Sequence, residues 1–271
     1  MGQDEKDVVE YTERASGPTS IVLVGVHGDE PCGIKALEKI LPTLVVDKGK
    51  VIFIVGNPKA VKKQKRFIGS NLNRMFKPSF LLSKTDKKSY EYKRANLLKA
   101  YFKKADVLLD VHSSHTKGSE PFAICEANAK NICKLLPVKL VVSGFDAIQP
   151  GGTDYYMNKI GKVGICVECG YSHSFTAEKN AKTIIKTFLV ARGHIKGKSS
   201  PQKQSQIYVN KLYITKNNFK LTKKFKDFEK IYAGQTIGID GKKEIKTETD
   251  SIILFARNRD SKNEEAFILG K

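Results

Sequence analysis

Three short apolar runs along the chain each end in a polar group. Residues 21–26 run into His27-Gly28-Asp29-Glu30, residues 105–111 into His112, and residues 163–167 into Glu168. Each is strand-sized, β-branched and bounded by polar or Gly-containing segments, which predicts buried strands. Residues 51–55, 121–125 and 138–142 have the same texture, with a short helix between the last two. Helical spacing appears from Pro31, where Ile34, Leu37, Ile40 and Leu41 share a face. It reappears over 87–104, with Ala95, Leu98 and Tyr101 inward. A third helix runs over 176–192, with Thr176 as N-cap, Ala181, Ile184, Ile185, Phe188 and Leu189 inward, and Gly193 at the stop. Residues 59–76 read as a basic loop and 149–153 as a turn; a polar leader extends to about Gly17. Strands alternating with helices predict an α/β domain, a mixed sheet flanked by helices.

The texture changes after Gly197-Lys198-Ser199-Ser200-Pro201. Short alternating runs broken by Gly and Asn follow, at 207–214, 236–239 and 252–257. The expected organisation is an α/β domain over 1–196 and a small all-β domain over 197–271.

Composition narrows the class. The chain has 271 residues, 40% hydrophobic, enough for a real core without staples. Its apolar runs fall short of the roughly 20 residues a membrane helix needs. The start lacks the apolar core of a signal peptide, and Lys6 stands where myristoylation needs Ser or Thr. Five cysteines, an odd number, fit reduced thiols. A cytoplasmic protein without membrane contact is therefore expected. Cys166 and Cys169 form a C-x-x-C spacing, but on a strand they point to opposite faces, so they read as buried small hydrophobes. The formal charge is +20. Residues 197–271 hold sixteen Lys/Arg and nine Asp/Glu, a net +7, so the excess is spread over the chain. With no nucleic-acid motif, the charge argues for a solvated basic surface that steers small anionic substrates rather than nucleic acid. The sequence leaves a homo-oligomer open.

The strand ends carry the chemistry. In α/β sheets, sites collect where strands give way to loops. His27 and Glu30, three apart at a strand-to-helix turn, can aim at one point, and His112 arrives from another strand. Two imidazoles and a carboxylate suit one Zn²⁺ per chain with its fourth position open, and a further carboxylate, Glu168, can take a water's proton. Glu168 would be costly to bury as a bystander. In the basic loop, Arg74 can bind a carboxylate through two parallel hydrogen bonds with Asn73 adding a third, and Arg66 can polarise a carbonyl. His115 reads as outer layer or solvent, His173 as surface or the site's mouth, and His194 as a partner of the last helix carbonyls.

Four segments occur together in a specific order: His27-Gly28-Asp29-Glu30, Asn57-Pro58-Lys59-Ala60 through Asn73-Arg74-Met75-Phe76, Asp110-Val111-His112-Ser113, and Val167-Glu168-Cys169-Gly170. In order and spacing they resemble the succinylglutamate desuccinylase/aspartoacylase family, a branch of the zinc-carboxypeptidase-like fold. The resemblance implies zinc held by His27, Glu30 and His112, and Glu168 as general base and later proton donor. It also implies Arg66 on the substrate carbonyl, and Asn73 with Arg74 on its carboxylate. Two departures stand out. Asn71 replaces the Asp usual in the family's Asp-Leu-Asn-Arg motif. Asn158, beside Lys159, stands where aspartoacylases carry an Arg for a second carboxylate, which argues against acetylaspartate as substrate. Tyr213 and Tyr232 are candidates for the tail tyrosine that completes the aspartoacylase pocket.

The resulting expectation is zinc-dependent hydrolysis of a small N-acyl amino acid. Its rivals are a zinc carboxypeptidase acting on peptides, which needs a more open cleft, and a non-catalytic basic binding protein on the same fold.

Overall fold

A computed structural model describes residues 7–12 and 16–271. Residues 1–6, read above for targeting signals, and 13–15 of the polar leader lie outside them. The strands in chain order are β1 (Val8–Thr12), β2 (Thr19–Val24), β3 (Lys50–Val55), β4 (Val107–Ser114), β5 (Phe122–Cys125), β6 (Leu140–Ser143) and β7 (Val163–Tyr171). Then come β8 (Ser205–Ile214), β9 (Phe219–Leu221), β10 (Glu229–Ile231), β11 (Thr236–Asp240), β12 (Lys243–Lys246), β13 (Ser251–Leu254) and β14 (Glu265–Gly270). The helices are α1 (Cys32–Ile40), α2 (Pro58–Lys63), α3 (Lys84–Lys88), α4 (Tyr90–Phe102), α5 (Lys130–Cys133), α6 (Phe145–Ile148), α7 (Thr153–Lys159) and α8 (Phe175–Ala191).

Eleven strands form one mixed sheet in the order β1-β3-β2-β4-β7-β5-β6-β8-β14-β13-β10, and β12-β11-β9 form a second, antiparallel sheet. At its centre β3, β2, β4 and β7 are parallel. Their C-terminal ends therefore share one edge, the place where α/β sheets put their chemistry. Side chains alternate across the sheet. On β4, Val107, Leu109 and Val111 enter the core beneath α1 and α8, whereas Leu108 packs with α4 on the opposite face. Asp110 and His112, in phase with Leu108, emerge at the strand end. The sheet passes without interruption from β6 to β8, a parallel pair, and continues through the antiparallel β14, β13 and β10.

The expected strands and long helices are present, though the strand expected over 252–257 stops at Leu254, and other differences follow. The leader contains β1, antiparallel to β3. The basic loop contains α2, because Pro58 sits in its first turn and the Asn57 side chain accepts from the Ala60 amide. The helix expected over 87–104 is two, since Ser89, extended at φ −68° and ψ 156°, ends α3 and caps α4. The cap of α8 is Ser174 rather than Thr176. The five residues expected to face inward on α8 are all buried, and Cys166 and Cys169 do lie in different core clusters on opposite faces.

Candidate metal and hydrolytic centre

His27 leaves β2 through a turn that only glycines permit. Gly25 has φ +63°, and a Cβ on Gly28 would stand 2.1 Å from the carbonyl carbon of Ala60. The Gly28 amide donates to Lys65 O at 3.0 Å, so the turn rests on the start of the basic loop. Three residues on, Glu30 precedes α1 and points back. His112 stands on β4 directly across from Glu168 on β7. All four side chains are buried.

Glu30 is the hub. One carboxylate oxygen lies 2.9 Å from His27 Nδ1 and the other 2.8 Å from His112 Nδ1. One ligand atom from each of the three residues falls within 4.8 Å of the other two. The outer ring nitrogens reveal the tautomers. Asn71 Oδ1 accepts the Asn73 amide at 3.0 Å, which identifies it as the oxygen, so His27 Nε2, also 3.0 Å away, must donate to it. His112 Nε2 lies 3.0 Å from Asp110 Oδ2, another obligate acceptor, and Thr153 Oγ1 donates to that same oxygen at 2.5 Å. His27 thus carries a proton outward, His112 turns Nε2 toward Asp110, and both rings turn Nδ1 toward Glu30. Inward nitrogens with outward N–H groups held by oxygen acceptors are the arrangement of metal-binding histidines.

The electrostatics agree. Burial opposes charge on Glu30, yet His27 and His112 hold its carboxyl well below the usual range. Burial, with the charge of Arg66, brings His27 down to about 4. Burial also works against a charged His112, but Asp110 and Glu30 together hold it well above the usual imidazole value. The ionised Glu30 carboxylate is the anion at the centre of these three residues. A zinc ion fits that donor set in type, burial and outer-layer support.

Glu168 stands beside this group with Oε2 buried and, among the described residues, without a hydrogen-bond partner. Burial and the charge of Glu30 push its carboxyl up to about 8. A cation nearby would return it toward the ionised form that accepts a proton.

The loop bearing Arg66, Asn73 and Arg74 owes its shape to a residue the motif reading passed over. Glu91 on α4 is fully buried and accepts from the amides of Ile68, Gly69 and Ser70 at 2.7, 3.2 and 3.1 Å, and from Asn57 Nδ2 at 3.3 Å. Leu72, Met75 and Phe76 are buried on the α4 side of the sheet, which leaves Asn73 and Arg74 facing the pocket. Arg66 Nη1 donates to Glu30 Oε1 at 2.9 Å. Arg74 donates from Nε and Nη2 to the two oxygens of Glu265 on β14, at 2.7 and 2.5 Å, and from Nη1 to Asn73 O at 2.7 Å. A sequence motif for Glu91 or Glu265 does not exist; each is one acidic residue among 28.

His27, Glu30, Arg66, Asn73, Arg74, His112 and Glu168 all line one pocket, with Phe255, Arg257, Arg259 and Glu265 of the C-terminal part closing it. Tyr213 and Tyr232 are not among its lining residues: Tyr213 donates to Asp240 at 2.8 Å, and Tyr232 is 64% exposed. Asn158 is also elsewhere, donating to Asp146 and accepting from Gly164 N. His115 pairs with Asp29 at 3.2 Å on the rim, near His173. Asp29, Glu30 and His115 also bring ligand atoms together, but both oxygens of Glu30 are already turned to His27 and His112. His194 departs from expectation. Its side chain lies between Ser20 Oγ and Lys48 O, at 2.8 and 2.9 Å, and it is the backbone amide that closes α8 on Leu189 O.

A family model described as the succinylglutamate desuccinylase/aspartoacylase catalytic domain matches residues 16–192. The chain is 28% identical over 219 residues to an N-alpha-acetyl-L-2,4-diaminobutyric acid deacetylase of Halomonas elongata, covering 74% of this chain and 63% of that one. It is 24% identical over 178 residues to a succinylglutamate desuccinylase of Pseudomonas fluorescens, covering 60% and 53%. The chain thus spans less than two thirds of the length of these curated relatives. Among solved structures, succinylglutamate desuccinylase from Vibrio cholerae superposes with a TM-score of 0.81 at 19% identity, over 98% of this chain and 85% of that one. The ectoine utilization protein of Ruegeria pomeroyi, in a product-bound structure, gives 0.73 at 19% over 97% and 88%. At such identities the structural matches speak for the fold.

Proposed function

The chain belongs to the succinylglutamate desuccinylase/aspartoacylase family, and from that premise we propose that it hydrolyses the amide bond of a small N-acyl amino acid with the help of zinc. The observation that carries this reading is the buried Glu168, with one oxygen unpartnered among the described residues, beside the inward nitrogens of His27 and His112 and the carboxylate of Glu30. Zinc held by His27, Glu30 and His112 would supply Lewis acidity to the attacking water and the amide carbonyl.

The protein's own groups do the rest. Glu168 accepts the proton of the attacking water and returns it to the departing amine nitrogen. Arg66, already aimed at Glu30, donates to the carbonyl oxygen as negative charge grows there. Asn73 Oδ1 is used by the Thr153 amide, which turns its NH₂ group to the substrate carboxylate. Arg74 presents to the same carboxylate the N–H groups that Glu265 and Asn73 O leave unused. Holding that end fixes the amide over Glu168 and lowers the entropic part of the barrier. The tail residues around the pocket favour a small substrate over a peptide.

The test is release of amine from a panel of N-acetyl, N-formyl and N-succinyl amino acids by zinc-loaded protein, beside Glu168→Ala and His112→Ala. Glu168→Ala should keep its zinc and lose at least a thousandfold in turnover, whereas His112→Ala should lose the metal. Wild-type turnover in Glu168→Ala, or release from blocked dipeptides exceeding that from acyl amino acids, would overturn the proposal.

A further inference from the structure

Four arginines line the pocket, and three of them have partners. Arg66 donates to Glu30, Arg74 is held by both oxygens of Glu265, and Arg259 donates from Nε to Glu265 O at 2.7 Å. Arg257 differs: among the described residues its guanidinium makes no hydrogen bond or ion pair. Yet it is partly buried. Burial, then the charges of Arg66 and Arg259, lower its pKa from the ordinary arginine value, and the more distant pull of Glu30 and Glu168 does not cancel them, so the protein meets a cost in keeping a cation there.

The backbone that presents it is fixed. Asp227 accepts the Ser114 hydroxyl at 2.8 Å and the Phe255 amide at 2.9 Å, which ties the end of the His112 strand to the turn before Arg257. Phe255 takes φ +53°, an uncommon conformation for a bulky side chain. The Arg257 amide then donates to Ala266 O at 2.9 Å, and Arg259 pairs with Phe219 in both directions at 2.7 and 2.8 Å. A surface arginine free to sample solvent needs no such frame.

We infer that Arg257 is a specificity-determining residue that binds a second negative group of the substrate. This rests on the deacylase reading and adds to it. Asn73 and Arg74 take one carboxylate, and Arg257, delivered by the C-terminal part, takes another on the acyl or the amine side. The position ten residues before Glu168 cannot serve, because Asn158 is spent on Asp146 and Gly164. With Arg74 held by both oxygens of Glu265, Arg257 is the pocket arginine whose guanidinium, among the described residues, has no carboxylate in hydrogen-bond contact and is open to a second anionic group of a ligand. Its planar fork can bind a carboxylate through two hydrogen bonds.

The experiment compares zinc-loaded wild type, Arg257→Gln and Arg257→Lys on N-acetyl-L-alanine, N-acetyl-L-aspartate and N-succinyl-L-alanine, by kcat/KM and by calorimetric binding. In wild type at least one dicarboxylate should exceed N-acetyl-L-alanine, and which one locates the second carboxylate. In Arg257→Gln that preference should fall about 10- to 100-fold through KM, with partial recovery in Arg257→Lys. An equal loss for mono- and dicarboxylates, or a fall in kcat alone, would overturn the assignment, as would a wild type without a dicarboxylate preference. Calorimetry separates the two proposals. If no compound is hydrolysed, the deacylase reading fails, while the binding preference and its loss in Arg257→Gln still decide the role of Arg257.

Discussion

At the scale of single residues, the site is decided by which atom of each ring faces inward. Asn71 shows why. The family motif has an acid at this position, but the feature that matters here is an oxygen that accepts from His27 Nε2 and from the Asn73 amide. Asn supplies that oxygen without the charge. Removing it should leave the imidazole free to rotate and its inward nitrogen less basic. Asn71→Ala is therefore expected to weaken zinc binding about 10- to 100-fold, and Asn71→Asp to retain it, measured by competition with a chromophoric chelator. Unchanged affinity in Asn71→Ala would show that the His27 ring is oriented by something else. Much of this layer was legible beforehand, since His27, Glu30, His112 and Glu168 each end an apolar run. Asp110 and Asn71 were visible as motif members, but their tasks were not, because a hydrogen bond to a particular ring nitrogen leaves no mark in the sequence.

At the scale of elements, the basic loop depends on α4. Glu91 gathers three consecutive amides and Asn57 on one buried carboxylate, and so does for the loop what a ladder partner does for a strand. Glu91→Ala strips partners from several poorly solvated donors at once. It is expected to destabilise the protein by about 2–4 kcal/mol and to impair substrate binding through Asn73 and Arg74. Chemical unfolding and KM check the two parts. A second prediction belongs where β2, the end of α8 and the turn before β3 meet. Burial, then the charge of Arg192, hold His194 below its usual 6.5 against the opposing hydrogen bond to Lys48 O. The unfolded chain therefore binds a proton near pH 6.5 that the folded one refuses, so this residue costs stability as pH falls below 6.5 and nothing above it. Between pH 7.5 and 5.5, wild type should lose more unfolding free energy than His194→Gln; equal losses would refute the account. Among these elements, α8 was readable because its five apolar positions repeat at helical spacing. The break at Ser89 was not, since a single capping serine interrupts a spacing that otherwise continues.

At the scale of the whole molecule, the C-terminal part extends the sheet and closes the site. β8 pairs with β6, Arg74 joins Glu265, and Ser114 joins Asp227. With the sheet shared and the core continuing across this join through Phe122, Val142, Val209 and Ile268, the two parts should unfold together. Calorimetry is expected to give one transition with calorimetric and van't Hoff enthalpies in agreement; two separated transitions would show independent units. No helix among the described residues is long and apolar enough to cross a membrane.

The sequence alone determined the strands at the centre of the sheet, the helices α1 and α8, the ends on which chemistry sits and the family to which they point. Each of these is written in local periodicity or in a short motif whose residues act near where they stand. Only the tertiary structure decided that the tail's Arg257 and Glu265, rather than Tyr213 or Tyr232, complete the pocket. It also decided that Glu91 builds the basic loop and that His194 serves the core. Those roles join residues 21 to 191 positions apart, and the longest of them, Arg74 with Glu265, exists only once β6 and β8 have brought the two parts of the chain into one sheet.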